Sequence, residues 1–251
     1  MSATRLVSKT GQATDMTQRN AIIIALGQPS DPTPHDATMH AMAKAVAKLL
    51  PGWTIRGATL ESPGSVATAA EGLGAPLVYP LFLANGYFMA NVLPKRLARL
   101  VPGATILPPL GADAAFRPLV VATLATAARE AGYEHEHTNV LLAAHGSEMF
   151  PASRLSSQQL ASDVASQTAF KSVTVGFIEE HPFIEEAARG LAQAICLPLF
   201  ALSASHAAID VPTALVRASF QGLILPPIGM HPDVPALIAH ALAEQAQKVA
   251  A

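Results

Sequence analysis

Cysteine occurs once in the 251 residues, at Cys196. That excludes an intrachain disulfide and fits a reducing, cytoplasmic compartment. Charge is scarce too: charged residues make up 14% of the chain and the formal net charge is −2. No basic run is present, so neither nucleic acid nor a membrane surface is expected as a partner. No apolar run reaches the ~20 residues of a membrane span, and the first 19 residues lack the apolar core of a secretory signal. Residues 1–20 read as a flexible tail, with translation starting at Met1 or Met16. The pattern Gly-x-Ser-x-Gly is missing, which sets nucleophilic hydrolase chemistry aside.

Apolar residues, by contrast, make up 51% of the chain, with alanine filling much of that share and aromatics only 5%. Such a composition suits helices packed closely on sheets and argues against disorder. The length allows one large domain or two of ordinary size. Short β-branched or apolar runs alternate with helical stretches, which implies mainly parallel sheets with right-handed crossovers. Strands are expected at residues 21–26, 53–60, 77–83 and 104–107, and helices at 37–50, 65–73, 94–100 and 114–131. After a linker at 133–138 the order starts again. Strands follow at 139–144, 172–178, 194–202 and 222–225, with helices at 156–168, 182–191, after Pro212 and at 234–249.

The second round repeats the first. Pro80-Leu81-Phe82 answers Pro198-Leu199-Phe200, Glu61 answers Glu179, and Ile106 to Gly111 answers Ile224 to Gly229, all at an offset of 118 residues. Gly27 answers Gly146 at 119, so one residue differs in the first helix or its loops. The fold class is therefore α/β: two tandem lobes, 21–132 and 139–251, each a mainly parallel four-stranded sheet flanked by helices. A pseudo-twofold axis is the natural relation between them.

The copies differ where chemistry is expected. In the second lobe His145 follows the first strand, Glu179 and Glu180 the second, and His206 the third. Groups at the C-terminal ends of parallel strands line one crevice. Two imidazoles and a carboxylate there suit a borderline divalent metal, and equally suit acid–base work near neutral pH. In the first lobe Leu26 replaces His145 and Phe88 replaces His206, while Glu61 is kept. Packing alone does not predict that both histidines vanish together. Gly146 lets the backbone approach a flat ligand. Asp210, four residues after His206, either orients that ring or caps the helix ahead of Pro212. The remaining histidines show no metal-ligand spacing, and only His181 and His231 lie near the expected rim. Cys196, within a strand, reads as an inert core thiol.

With these residues in view, the chain resembles the sirohydrochlorin chelatases of the CbiX and SirB kind, in the class II chelatase superfamily that includes ferrochelatase. The matching features are His145-Gly146-Ser147, the Phe-Ile-Glu segment ending at Glu179, and Pro198-Leu199-Phe200 leading to His206-x-x-x-Asp210-Val211-Pro212. The Leu-Pro-Pro-x-Gly ends of both halves extend the match over nearly all the chain past residue 20. The resemblance implies two chelatase-like lobes with a tetrapyrrole in the cleft between them. It implies metal insertion without ATP and without an organic cofactor, in cobalamin or sirohaem synthesis, with Co²⁺ first and Fe²⁺ or Ni²⁺ as alternatives. His145, His206 and Glu179 would be the metal-binding and catalytic residues. Ser147, Glu180, Asp210, Arg154 and Phe88 would support or line the substrate cleft, facing Asn85, Tyr87 and Met89. Arg154, with Lys95 or Arg96 across the cleft, are the cations available to a carboxylate-rich macrocycle. A metal or tetrapyrrole carrier is the alternative function, and a monomer or homodimer the expected assembly.

Overall fold

The computed structural model describes residues 19–27 and 32–250. The expected N-terminal tail lies outside these residues apart from Arg19 and Asn20, which already belong to the first strand. Eight strands form two sheets of four. The first contains β1 (Arg19–Ala25), β2 (Trp53–Thr59), β3 (Leu77–Pro80) and β4 (Thr105–Ile106), in the order β2-β1-β3-β4. The second contains β5 (Asn139–Ala144), β6 (Ser172–Phe177), β7 (Ala194–Pro198) and β8 (Leu223–Ile224), in the order β6-β5-β7-β8. Every pairing is parallel. The duplication read from the sequence is thus a duplication of topology.

The central strands are apolar throughout because both of their faces are covered. Ile22 and Ile24 of β1 face one layer, formed by α2 (Ser65–Ala70) and α3 (Leu93–Leu100). Leu141 and Ala143 of β5 meet the equivalent layer, α6 (Ile184–Ala188) and α7 (Val211–Arg217). The opposite faces, with Ala21, Ile23, Val140 and Leu142, belong to one continuous core. The helices filling it are α1 (Pro32–Leu49), α4 (Phe116–Glu130), α5 (Ala152–Gln167) and α8 (Val234–Ala250). The closing helices are exchanged between lobes: α4 packs on α5 and β7, and α8 packs on α1 and β3.

Helix starts near prolines differ from expectation in both directions: α6 begins at Ile184, two residues after Pro182, while others begin earlier. α1 starts at Pro32 rather than 37, because a first turn has no use for the N–H that proline lacks. The segments expected to start at Pro94 and Pro212 are likewise preceded by π turns, Phe88–Val92 and His206–Asp210, which run directly into α3 and α7. The third strands are shorter than expected and end at Pro80 and Pro198, leaving residues 81–83 and 199–202 as connecting chain. Cys196 is fully buried in β7, and burial pushes its thiol up to about 12. It is an inert core group, as its position suggested. No described helix is long and apolar enough to cross a membrane.

Candidate active site

In each sheet the chain leaves the first strand for the inner helical layer and the third strand for the outer one. Neighbouring strands whose connections part in this way open a crevice at their carboxyl ends. In the second sheet those neighbours are β5 and β7, followed by His145 and His206 respectively. Glu179 follows β6 on the other side of β5. Its N–H donates to the carbonyl of His145 at 3.0 Å, tying the two loops together.

The two imidazoles meet edge to face, with centroids 4.7 Å apart and planes at 88°. Hydrogen bonds decide which nitrogens are free. His145 Nδ1 lies 2.8 Å from the carbonyl oxygen of Gly146, which can only accept, so Nδ1 carries the proton. His206 Nδ1 lies 2.8 Å from Asp210 Oδ2 and donates to it for the same reason. In neutral rings both Nε2 atoms therefore keep their lone pairs. Glu179 Oε1 stands 3.6 Å from His145 Nε2. Phe200 stacks beside His206 at 6.3 Å. Among the described residues no three His, Cys, Asp or Glu side chains are arranged to hold a metal ion. The pair of histidines with Glu179 nearby is what the fold assembles.

The His-Gly-Ser turn is held from below. Gly146 has φ 74°, and a Cβ there would sit 2.9 Å from both Phe177 Cβ and Glu180 Cγ. Glu180, in the loop after β6, is neither solvated nor part of the cleft lining. It is only 4% exposed, its Oε1 accepts the N–H of Ser147 at 2.7 Å, and its Oε2 pairs with Arg154 at 3.2 Å. Arg154 is thereby spent beneath the turn and does not line the cleft, contrary to the expectation that it meets substrate. Ser147 does line it, and its Oγ accepts the N–H of Phe150 at 3.2 Å. Asp210 bonds His206 and makes no helix-capping bond, which settles the choice left open by its sequence position. It lies inside the π turn, where residues four apart share a side; such turns concentrate at functional sites.

The cleft between the lobes encloses about 1250 Å³. His145, Glu179 and His206 line one wall; Tyr87, Phe88 and Met89 line the other. Asn85 and Lys95, expected to face it, do not line it. Arg96 is engaged with Glu61 at 3.1 Å and also donates to the Leu60 carbonyl. His181 and His231 pair with Glu186 and Asp233 and lie away from the cleft. Two features carried no sequence signal because each joins segments far apart in the chain. Tyr87 stacks on Phe150 across the mouth, centroids 4.7 Å apart. Arg117 of α4 meets Asp163 of α5 at 2.7 Å.

A comparison with solved structures bears directly on this arrangement. A structure described as "CbiX, the terminal Enzyme for Biosynthesis of Siroheme in Denitrifying Bacteria" is 45% identical, with a TM-score of 0.83 over 90% of this chain and 99% of that one. This chain belongs to the CbiX family. The family profile itself, CbiX, matches residues 139–245, the lobe that carries both histidines. The wider fold is shared by SirB from Bacillus subtilis with Fe³⁺, 17% identical at a TM-score of 0.67, over 90% of this chain and 95% of that one. It is shared too by SirB from Bacillus subtilis subspecies spizizenii in complex with cobalt, 16% identical at 0.65, over 91% and 96%. No curated protein sequence matches the chain. The first lobe supplies the opposite wall of the cleft, with Leu26 and Phe88 where the second has its histidines.

Proposed function

We propose that this CbiX-family protein inserts a divalent metal ion, Co²⁺ or Fe²⁺, into a sirohydrochlorin-type tetrapyrrole without ATP. The observation that carries this reading is a pair of imidazoles in contact, each with its Nδ1 engaged and its Nε2 lone pair free, on the wall of a cleft of about 1250 Å³. Insertion exchanges one M²⁺ for two pyrrole N–H protons. It therefore asks for a weak, removable grip on the metal and a base active near neutral pH. His145 and His206 supply both: each Nε2 can hold the incoming ion or accept a proton. Asp210 orients His206 and stabilises its protonated form. Glu179, beside His145, offers a carboxylate to either the ion or the departing protons. The cobalt and iron held by the two SirB structures favour the same metals here.

One chain supplies both walls of the cleft, so a monomer suffices for the reaction. The single buried thiol suits a cytoplasmic setting. The test is anaerobic mixing of catalytic amounts of protein with sirohydrochlorin and Co²⁺ or Fe²⁺, followed by absorbance. A chelatase yields many equivalents of metallated product per protein. Binding that halts at one equivalent, with no product released, would instead assign the protein to a carrier role.

A further inference from the structure

Among the described residues, the charged side chains lining the cleft, histidines aside, are Glu61, Asp113, Asp163, Glu179 and Arg117. Three of the four acids are already matched. Glu61 pairs with Arg96. Asp113 accepts the Tyr79 hydroxyl at 3.1 Å and the Ala115 N–H at 2.9 Å. Asp163 forms an ion pair with Arg117, its Oδ2 2.7 Å from Nε, and accepts Gln159 Nε2 at 2.9 Å. Glu179 stands with the histidines. The donor left over is Arg117, whose two Nη groups donate no hydrogen bond among the described residues and whose side chain is 52% exposed.

We infer that Arg117 forms a carboxylate-binding subsite at the α4–α5 end of the cleft, where it takes an acid side group from the rim of the macrocycle. Asp163, only 18% exposed, stands 2.7 Å from Nε and neutralises the guanidinium there, which leaves the Nη edge to a ligand. A planar fork with two free donors matches a carboxylate in geometry as well as charge. The exchanged packing of α4 makes this possible. Arg117 comes from the first half of the chain, yet stands on the second lobe beside α5, whose N-terminal end follows the His-Gly-Ser turn. The histidines would then act on the ring centre while Arg117 fixes the rim and sets the orientation of the ring. The inference rests on the tetrapyrrole reading and names the class of group that the site recognises: an anionic, carboxylate-bearing periphery.

The experiment is direct titration of metal-free sirohydrochlorin into wild type, Arg117→Gln, Arg117→Lys and the double variant Arg117→Gln/Asp163→Asn. Binding is read by absorbance, with thermal unfolding as the control for folding. The double variant removes both charges, so a buried unpaired Asp163 cannot account for a loss. The expected result is an affinity about ten- to a hundredfold weaker in Arg117→Gln and in the double variant. Arg117→Lys should recover part of the loss. Unchanged affinity in both Gln variants, with wild type binding well, would overturn the subsite alone. Wild type that binds no sirohydrochlorin would overturn the subsite together with the tetrapyrrole reading.

Discussion

Asp210 is the residue for which the structure decides between two readings of the sequence. Its spacing allowed a cap or a ring partner, and the π turn that places it on His206 leaves no visible mark on the chain. If its carboxylate holds His206 in the Nδ1–H form, Asp210→Asn should lower metallation about ten- to a hundredfold. An amide can present its oxygen to Nδ1–H but does not stabilise a protonated ring. The loss should therefore appear in the rate at saturating substrate, with macrocycle affinity kept; a variant as fast as wild type would reduce Asp210 to a bystander. His145, Glu179 and His206 themselves were legible because the first lobe serves as an internal control: two histidines exchanged together for Leu26 and Phe88 stand out. Arg154 was misplaced for the opposite reason, while Glu180 supports the site from beneath rather than lining it. At the corresponding place in the first lobe Ser62 and Asp36 are joined in a polar network with Thr59 and Ser65. A network of polar groups replaced by an ion pair is a structural substitution, and in a bare sequence it looks like an added functional charge.

At the scale of elements, the succession of strands and helices was legible from apolar runs and repeat spacing, while the order of strands within each sheet and boundaries near prolines were not. Proline marks a place where an N–H is dispensable, which is as true one or two residues into a helix as before it. The π turns at Phe88–Val92 and His206–Asp210 occur in both lobes. The first lobe therefore retains the backbone needed for a site and lacks only the side chains. Installing Leu26→His with Phe88→His should restore little metal affinity on its own, because Glu61 is held by Arg96. Adding Arg96→Ala should release that carboxylate and raise Co²⁺ affinity clearly above the double variant, as read by titration calorimetry in the His145→Ala/His206→Ala background. Equal affinity with and without Arg96 would mean that the ion pair does not govern the degenerate site.

The whole molecule is less divisible than its two similar halves suggest. Exchange of α4 and α8 places each half's closing helix against the other half's sheet, and one apolar core runs between both sheets. Spacing and motif matches reveal duplication, but no local pattern tells a helix which of two similar sheets it will cover. Residues 19–132 or 138–251 expressed alone should therefore be poorly folded, with weak cooperativity in thermal unfolding monitored by circular dichroism. Co-expression should recover a stable complex of both halves; two halves that each unfold cooperatively at the wild-type temperature would show the exchange to be dispensable. The same arrangement brings the aromatic wall of the first lobe and the histidine wall of the second around one cavity.

The most direct measurement of that division of labour is the initial rate of Co²⁺ insertion into sirohydrochlorin under anaerobic conditions, in wild type, His145→Ala and His206→Ala. Both variants are expected to fall to the uncatalysed rate while still binding the metal-free macrocycle, since the cleft that holds it is left intact. Insertion at the wild-type rate in either variant would contradict the assignment of the paired Nε2 atoms as the site of metal transfer.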